Sequence, residues 1–418
     1  MSSIQVSDNN VLTRLARIAA VLMWAPGVGI SVYGGKMLAP YEIFILLILP
    51  IIVITSLEPR RLLFGLIAIG VCTLSLVYSI DRSTSAVYYY YYAVVTIPGM
   101  LLFVQIFEDD EAARAFFVTF VRTGIWLSPL AVIQFLSPIP IPLVNNTNYA
   151  LETGLHRAHL FAPEASILAA LYLVAICLTT FNSIRRVEER IPRDTLSIVS
   201  LFAGLATTVS TAALTLLPPL LLYILRKCGV SWGRLIRYVV LGALLLTVFF
   251  FVEYQDRVAS GDSTSSTLLR FASMVAGAQA IMSHWITGLG LGMNRNVALA
   301  IKLIYFEWTH ILTEKPGIDS FQLSLMTEMG VLPGVFSVAV LVVCFKSLRR
   351  ILNTSPGISE LISIFGICLW FVSLLTSGYR GLAHCWLYFP AGYVVFLRNI
   401  KSTAIPTGPT ETLAFGRS

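Results

Sequence analysis

The sequence predicts an all-α, polytopic membrane protein, and three observations carry that prediction. Of 418 residues, 56% are hydrophobic and only 12% charged, whereas soluble domains are about a quarter charged. Mean hydropathy is +0.80. Several apolar runs reach the ~18 residues needed to cross about 30 Å of hydrocarbon. The net charge of +7 is spread over short loops between these runs, where Lys and Arg set membrane orientation. It does not indicate nucleic-acid binding.

The six cysteines lie in or beside apolar runs and form no C-x-x-C pair, so neither a zinc site nor a disulfide framework is expected. Arg14 and Arg17 precede an apolar run without a small-residue cleavage pattern. The expectation is a retained first span rather than a cleaved signal.

The spans are read in order. A polar, loose N-terminal dozen residues precede span 1, about 18–35. Spans 2, 3 and 4 cover about 39–57, 62–80 and 84–107. Span 4 contains five consecutive tyrosines, Tyr88 to Tyr92, which suit an interfacial aromatic belt; a sugar-stacking surface is the alternative. Span 5 is about 115–136 and span 6 about 161–182. The apolar block 195–225 lies between two basic loops. If both loops share one side of the membrane, an even number of crossings separates them. The block is therefore read as a short hairpin, spans 7 and 8, turning near Ser210-Thr211. Span 9 is about 238–253, span 10 about 320–345, span 11 about 358–377 and span 12 about 382–397.

About 12 spans result, with both termini cytoplasmic. The basic loops 58–61, 185–193, 226–237, 346–350 and 398–401 fall on one side, and the acidic stretch 108–114 is the exception. The whole chain reads as one helical domain. A large loop, 254–319, is inserted between spans 9 and 10, and a disordered tail, 402–418, ends the chain.

The polar residues of interest face the other side. The long loop carries Arg257, Arg270, His284, Gly288, Gly290, Gly292, Arg295 and His310. The loop before span 6 carries His156, Arg157 and His159, and the link before span 12 carries Arg380. Arginine in loops facing away from the cytoplasm runs against the positive-inside bias. One reason to place it there is an anionic ligand, because a guanidinium binds phosphate bidentately and stays charged. Headgroup contact or local ion pairing is the plainer account. Within the loop, 266–283 has apolar residues at helical spacing, predicting a helix along the bilayer or over the bundle. The glycines at 288, 290 and 292 do not form a G-x-G-x-x-G fingerprint, and a flexible turn is expected there. The histidines complete no recognisable ligand spacing, so no metal is expected.

Carboxylates matter if a hydroxyl is to be activated. Glu164 stands at the mouth of span 6 and Asp319 at the mouth of span 10. Glu328 is expected about two and a half turns inside span 10, where an ionisable residue is a functional suspect. A tie to a neighbouring helix is the alternative for it.

Four stretches together resemble the O-antigen ligase and Wzy-type polysaccharide polymerase superfamily. They are His156-Arg157 through Pro163-Glu164-Ala-Ser166; Thr208-Val-Ser210-Thr211; Arg270 followed by Ser283-His284-Trp285 and the alternating glycines; and Asp319-Ser320 through Glu328-Met-Gly330 to Gly334. Asp319-Ser320 stands where ligases of this superfamily have His-Asn, which tilts the resemblance toward a polymerase. Trp285 stands where proline is usual.

The resemblance implies a GT-C-like, metal- and cofactor-independent glycosyltransferase of the bacterial inner membrane, active at the periplasmic face. The donor would be a glycan on undecaprenyl diphosphate, and the acceptor a sugar hydroxyl of another lipid-linked repeat unit. Arg157 and Arg270 would hold the diphosphate, with Glu164 or Asp319 taking the proton. Arg380, His156, His159, Arg257, Arg295 and His310 would contact substrate. The company implied is the lipid bilayer, a chain-length regulator and a flippase. An O-antigen ligase, or a flippase or transporter of lipid-linked oligosaccharide, is the alternative. A transporter, however, tends to show repeat symmetry, and none is visible here.

Overall fold

A computed structural model of the chain describes residues 2–28, 30–32, 36–137, 157–162, 165–208, 277–293, 318, 320–351, 357–375 and 386–404. It is a helical fold. Among the described residues, five helices are long and apolar enough to cross a membrane.

The N-terminus departs from expectation. Residues predicted to be loose lie in helix α1 (Ser2–Leu22). Ala16, Ala19, Ala20 and Met23 are buried along one face, the i, i+3, i+4, i+7 pattern of a helix packed on a core. Pro26-Gly27 follows shortly after the helix ends, so no helix spans 18–35. Instead β1 (Ile30–Val32) and β2 (Lys36–Leu38) pair antiparallel, with Ile30 opposite Leu38. Gly34-Gly35 between them is a hairpin signal.

Next come α2 (Pro40–Thr55) and α3 (Pro59–Val77). Both open on proline, whose fixed φ and missing N–H suit the first helical turn. Helix α4 (Arg82–Glu108) contains one π turn at Tyr92–Thr96. Pro98 follows it. Proline deprives a helix of one N–H and crowds the carbonyl four residues earlier, and a π turn is one way to absorb that. Helix α5 (Asp110–Leu136) starts almost at once, followed by α6 (Ala165–Arg185) and α7 (Thr195–Thr207). Aspartates cap three of these starts. Asp81 accepts from Ser83 N at 3.0 Å, Asp109 from Ala112 N at 2.7 Å and Asp194 from Ser197 N at 2.8 Å, each satisfying an orphan donor.

Helix α7 ends at Thr207, short of the predicted turn near Ser210-Thr211, which lies outside the described residues. The second half of that hairpin, the following basic loop, span 9 and residues 405–418 of the predicted tail lie outside the described residues, whereas residues 402–404, expected in that tail, are helical. The remaining elements are α8 (Phe321–Met329), α9 (Val331–Ile351), α10 (Ile358–Leu375) and α11 (Tyr388–Ala404).

The predicted span 10 is two helices, not one. Gly330 breaks it with φ +77°, and Pro333 sits in the first turn of α9. Helix α9 alone is long enough to cross the membrane. Glu328 therefore precedes the span rather than lying within it, although it is buried.

Ion pairs define one pole of the bundle. Arg61 at the start of α3 pairs with Glu108 at the end of α4 at 2.7 Å. Arg398 of α11 pairs with Asp110 at the start of α5 at 2.7 Å. Arg185 ending α6 pairs with Glu360 opening α10 at 2.9 Å. Glu188, just past α6, takes both Arg114 of α5 at 3.0 Å and Arg190 at 2.8 Å. These pairs make α3 to α6 alternate in direction. They also explain the acidic exception among the basic loops, because Glu108 and Asp110 are partners of Arg61 and Arg398.

Burial raises the Glu188 carboxyl, but hydrogen bonds from Arg190 and Arg114 outweigh it and bring the pKa down to about 2. A carboxyl held below its ordinary 4.5 contributes stability that is fully present above that value. The contribution fades as pH falls toward about 2. Thermal unfolding of the detergent-solubilised protein should show it: Glu188→Gln is expected to unfold at lower temperature near neutrality and to lose less stability than wild type between pH 4.5 and 2. Parallel pH profiles would contradict this.

Between the poles the core is aromatic. Phe103, Phe107, Phe116, Phe117 and Phe120 of α4 and α5 pack around Phe365 of α10, with edge-to-face contacts favoured by the ring quadrupole. Trp24 lies across α5 and donates Nε1–H to Phe120 O at 3.1 Å. Gly124 makes room for it, since a Cβ there would come within 2.7 Å of the indole.

Candidate functional site

Among the described residues, the opposite pole is joined by main-chain groups and uncharged side chains rather than by ion pairs. Two clusters form it among the described residues.

The first is the turn 157–162 leading toward α6. Its backbone is clamped from three sides. Ala158 N donates to Thr207 O at the end of α7, at 2.9 Å. His159 N and Leu160 N both donate to the Gln134 side-chain oxygen near the end of α5, at 3.0 and 2.8 Å. Gly27 N donates to Phe161 O at 2.6 Å. Leu160 takes φ +46°, a strained value for a non-glycine residue that the surrounding bonds hold in place.

Arg157 rides on this turn, half-buried. Among the described residues its side chain has no hydrogen bond and no ion pair. A guanidinium carries five N–H donors in a planar fork, and on a fixed support that fork suits a phosphate or carboxylate. His159 is buried, with Nε2 3.5 Å from the Gln134 amide nitrogen. Burial lowers its pKa, against opposing hydrogen bonds with Ala162 and Leu160. Burial therefore favours the neutral ring, and its contacts support a role in holding the turn.

The second cluster is a strap formed by residues 277–293, within the long loop. A short helical stretch, 277–283, leads into Gly288-Leu289-Gly290-Leu291-Gly292. This is not a flexible turn. All three glycines have positive φ, +70°, +109° and +88°, a region that costs other residues a steric penalty. Each lies against a neighbour where a Cβ would sit: Gly288 on the Glu328 backbone, Gly290 on Ser79 and Gly292 on Tyr88.

The strap completes the break between α8 and α9. Leu289 N donates to Thr327 O at 2.8 Å and Gly290 N to Glu328 O at 3.1 Å. Val331 N donates to Trp285 O at 2.7 Å. These are the carbonyls and amide that a helix break leaves orphaned, and beside a membrane such groups need protein partners. On its other side the strap meets the α3–α4 corner. Ile80 N donates to Leu289 O at 3.1 Å, and Ser85 Oγ to Leu291 O at 2.8 Å. Ser75 Oγ donates to Glu328 O at 2.6 Å.

Helix α8 runs across this pole. Gln322 near its start donates to Ser373 Oγ of α10 at 2.8 Å, and Phe321 packs on Trp386 with centroids 4.8 Å apart. Trp386 in turn meets Tyr92 at 5.2 Å. The tyrosine run thus splits: Tyr92 is core, Tyr90 is exposed, and Tyr91 hydrogen-bonds Glu42.

Of the predicted site residues, Arg157 and His159 are placed, both at this pole. His284 is here too, exposed and within 3.0 Å of Ser283 Oγ. Arg270, Glu164, Asp319, Arg380, His156, Arg257, Arg295 and His310 lie outside the described residues. No hydrogen bond or ion pair joins the Arg157 turn to the strap among the described residues. No group of three or more His, Cys, Asp or Glu placed to hold a metal occurs among them either.

Sequence reasoning missed Gln134 and Glu42. The first is a lone amide late in an apolar run. The second is a lone acid just after Pro40, where it accepts from Ala39 N at 2.8 Å as well as from Tyr91. Comparison of the chain with protein-family models and with curated proteins gives no match.

Proposed function

We propose that this chain is a polysaccharide polymerase of the bacterial inner membrane. It would transfer an undecaprenyl-diphosphate-linked glycan to a sugar hydroxyl of another lipid-linked repeat unit at the periplasmic face. The support is the resemblance carried by the four stretches above, together with one observation. Arg157 presents, from a clamped turn at the pole opposite the ion pairs, a guanidinium that has no partner among the described residues. With the ionic pole cytoplasmic, as its basic loops favour, Arg157 faces the periplasm.

In the proposed reaction the acceptor oxygen attacks the anomeric carbon of the donor. The bond from that carbon to the diphosphate oxygen breaks, and its electron pair leaves with the diphosphate. Arg157 and Arg270 stabilise the charge that develops there, which requires donors fixed before the reaction. The acceptor proton passes to a carboxylate, Glu164 or Asp319. Arg380 adds a further diphosphate or glycan contact.

Arg157→Ala is expected to reduce chain elongation by at least about 100-fold, as loss of one preorganised donor does, while the protein still inserts. Arg157→Lys should also be impaired, because a point charge cannot replace the planar fork. The readout is the glycan length profile in a deletion strain carrying each variant. Normal long chains in both variants would remove the proposal. In the deletion strain itself, single capped repeats support a polymerase. Long chains left on the carrier lipid would point to a ligase, and repeats accumulating on the inner side to a flippase.

A further inference from the structure

We infer that residues 282–286 form a bilayer-interface anchor, with Trp285 seated at the headgroup–acyl boundary of the leaflet at the strap's pole. This is independent of the proposed reaction and stands whether or not Arg157 binds a diphosphate.

The depth of the segment follows from α3. That helix starts at the ionic pole and has 19 residues. At 1.5 Å per residue it rises about 28 Å, matching a hydrocarbon core of about 30 Å. Much of its surface is apolar and uncovered: Leu62, Leu66, Leu74 and Val77 are all exposed, as a lipid-facing helix requires. Ile80, three residues beyond its end, donates to Leu289 O at 3.1 Å. The strap is thereby fixed at the level where hydrocarbon gives way to headgroups, beside a lipid-facing surface.

At that level Met282, Trp285 and Ile286 are 73%, 59% and 57% exposed. Three large apolar side chains within five residues are thus left uncovered at the edge of a lipid-facing surface. Their exposure does not come from a loose backbone, because Trp285 O accepts from Val331 N and Gly288 N donates to His284 O at 2.9 Å. Ser283 and His284, on the same stretch, supply polar groups for the headgroup side. Tryptophan is the residue type that favours this boundary, with its apolar ring toward the chains and its N–H toward water.

The test is depth-dependent quenching of Trp285 in proteoliposomes. Its emission is taken as wild type minus Trp285→Phe. In phosphatidylcholine brominated near the headgroup, that emission should lose most of its intensity. Lipid brominated near the acyl terminus should quench it less, and aqueous iodide least. Quenching by iodide but not by brominated lipid would overturn the anchor in favour of a water-facing segment. Quenching by neither would place the ring against protein and overturn it equally. Should the Phe variant fold poorly, a nitroxide on Met282→Cys gives the same reading. Relaxation by oxygen exceeding that by an aqueous nickel chelate is expected, and the reverse overturns the anchor.

Discussion

Gly288→Ala and Gly330→Ala are each expected to destabilise the protein by about 2–5 kcal/mol. Two penalties add. At φ +70° and +77° a Cβ faces the left-handed penalty of roughly 1–2 kcal/mol. The added methyl also has nowhere to go. At Gly288 it would fall on the Glu328 main chain, and at Gly330 on the Ile286 carbonyl. Main chain cannot rotate aside as a side chain can, and overpacking typically costs about 1–3 kcal/mol. Relief by moving the strap would uncap Thr327 O, Glu328 O and Val331 N together. Gly70→Ala in α3 is the control. A Cβ there meets nothing within 4 Å, and removing an internal helix glycine is favourable by up to about 1 kcal/mol. Unfolding midpoints in detergent should therefore fall for the first two variants and hold or rise for the third. Equal midpoints for Gly288→Ala and Gly70→Ala would sink the account of the strap.

Glu360→Ala is expected to cost about 3–5 kcal/mol, the range for breaking a buried ion pair from one side. The Glu360 side chain is 0% exposed and that of Arg185 21%. Two bonds join them, Nε to Oε2 at 3.0 Å and a terminal nitrogen to Oε1 at 2.9 Å. The pair also suits both helix dipoles, with an acid in the first turn of α10 and a base in the last turn of α6. Removing the carboxylate takes away both of these bonds from a guanidinium that lies between two helices. Replacing both partners with apolar residues of similar volume should cost much less, because no unpaired charge remains. A double variant as unstable as Glu360→Ala alone would show that packing, not charge, holds this corner.

Much of the helix order was legible because its signals are local. Apolar runs, Pro40 and Pro59 at helix starts, and Asp81, Asp109 and Asp194 as caps each act within a few residues. The Gly330 break was legible in the same way, through a glycine followed closely by Pro333, but the apolar content continues across it and hid it. Span 1 failed for the opposite reason. Residues 18–35 are apolar enough to suggest a crossing, yet Pro26-Gly27 and Gly34-Gly35 favour a turn and a hairpin. Arg157 stood out by residue type. Its support did not, because the Gln134 amide reaches His159, 25 residues later in the chain, and no local pattern encodes such a meeting.

The strap is held largely by main-chain groups, and a main-chain clamp is indifferent to most side-chain identities. The alternating glycines must remain, but the amides and carbonyls of residues 285, 289, 290, 327, 328 and 331 are present in almost any sequence. The ionic pole has the opposite character, since each pair there depends on two particular side chains. Amino-acid exchange is therefore cheaper at the strap's pole, where surface chemistry can be rewritten without reshaping the frame beneath it. A saturation library over residues 282–287 would sample new surfaces on an intact scaffold, whereas one over 185–190 would mostly sample unfolded protein.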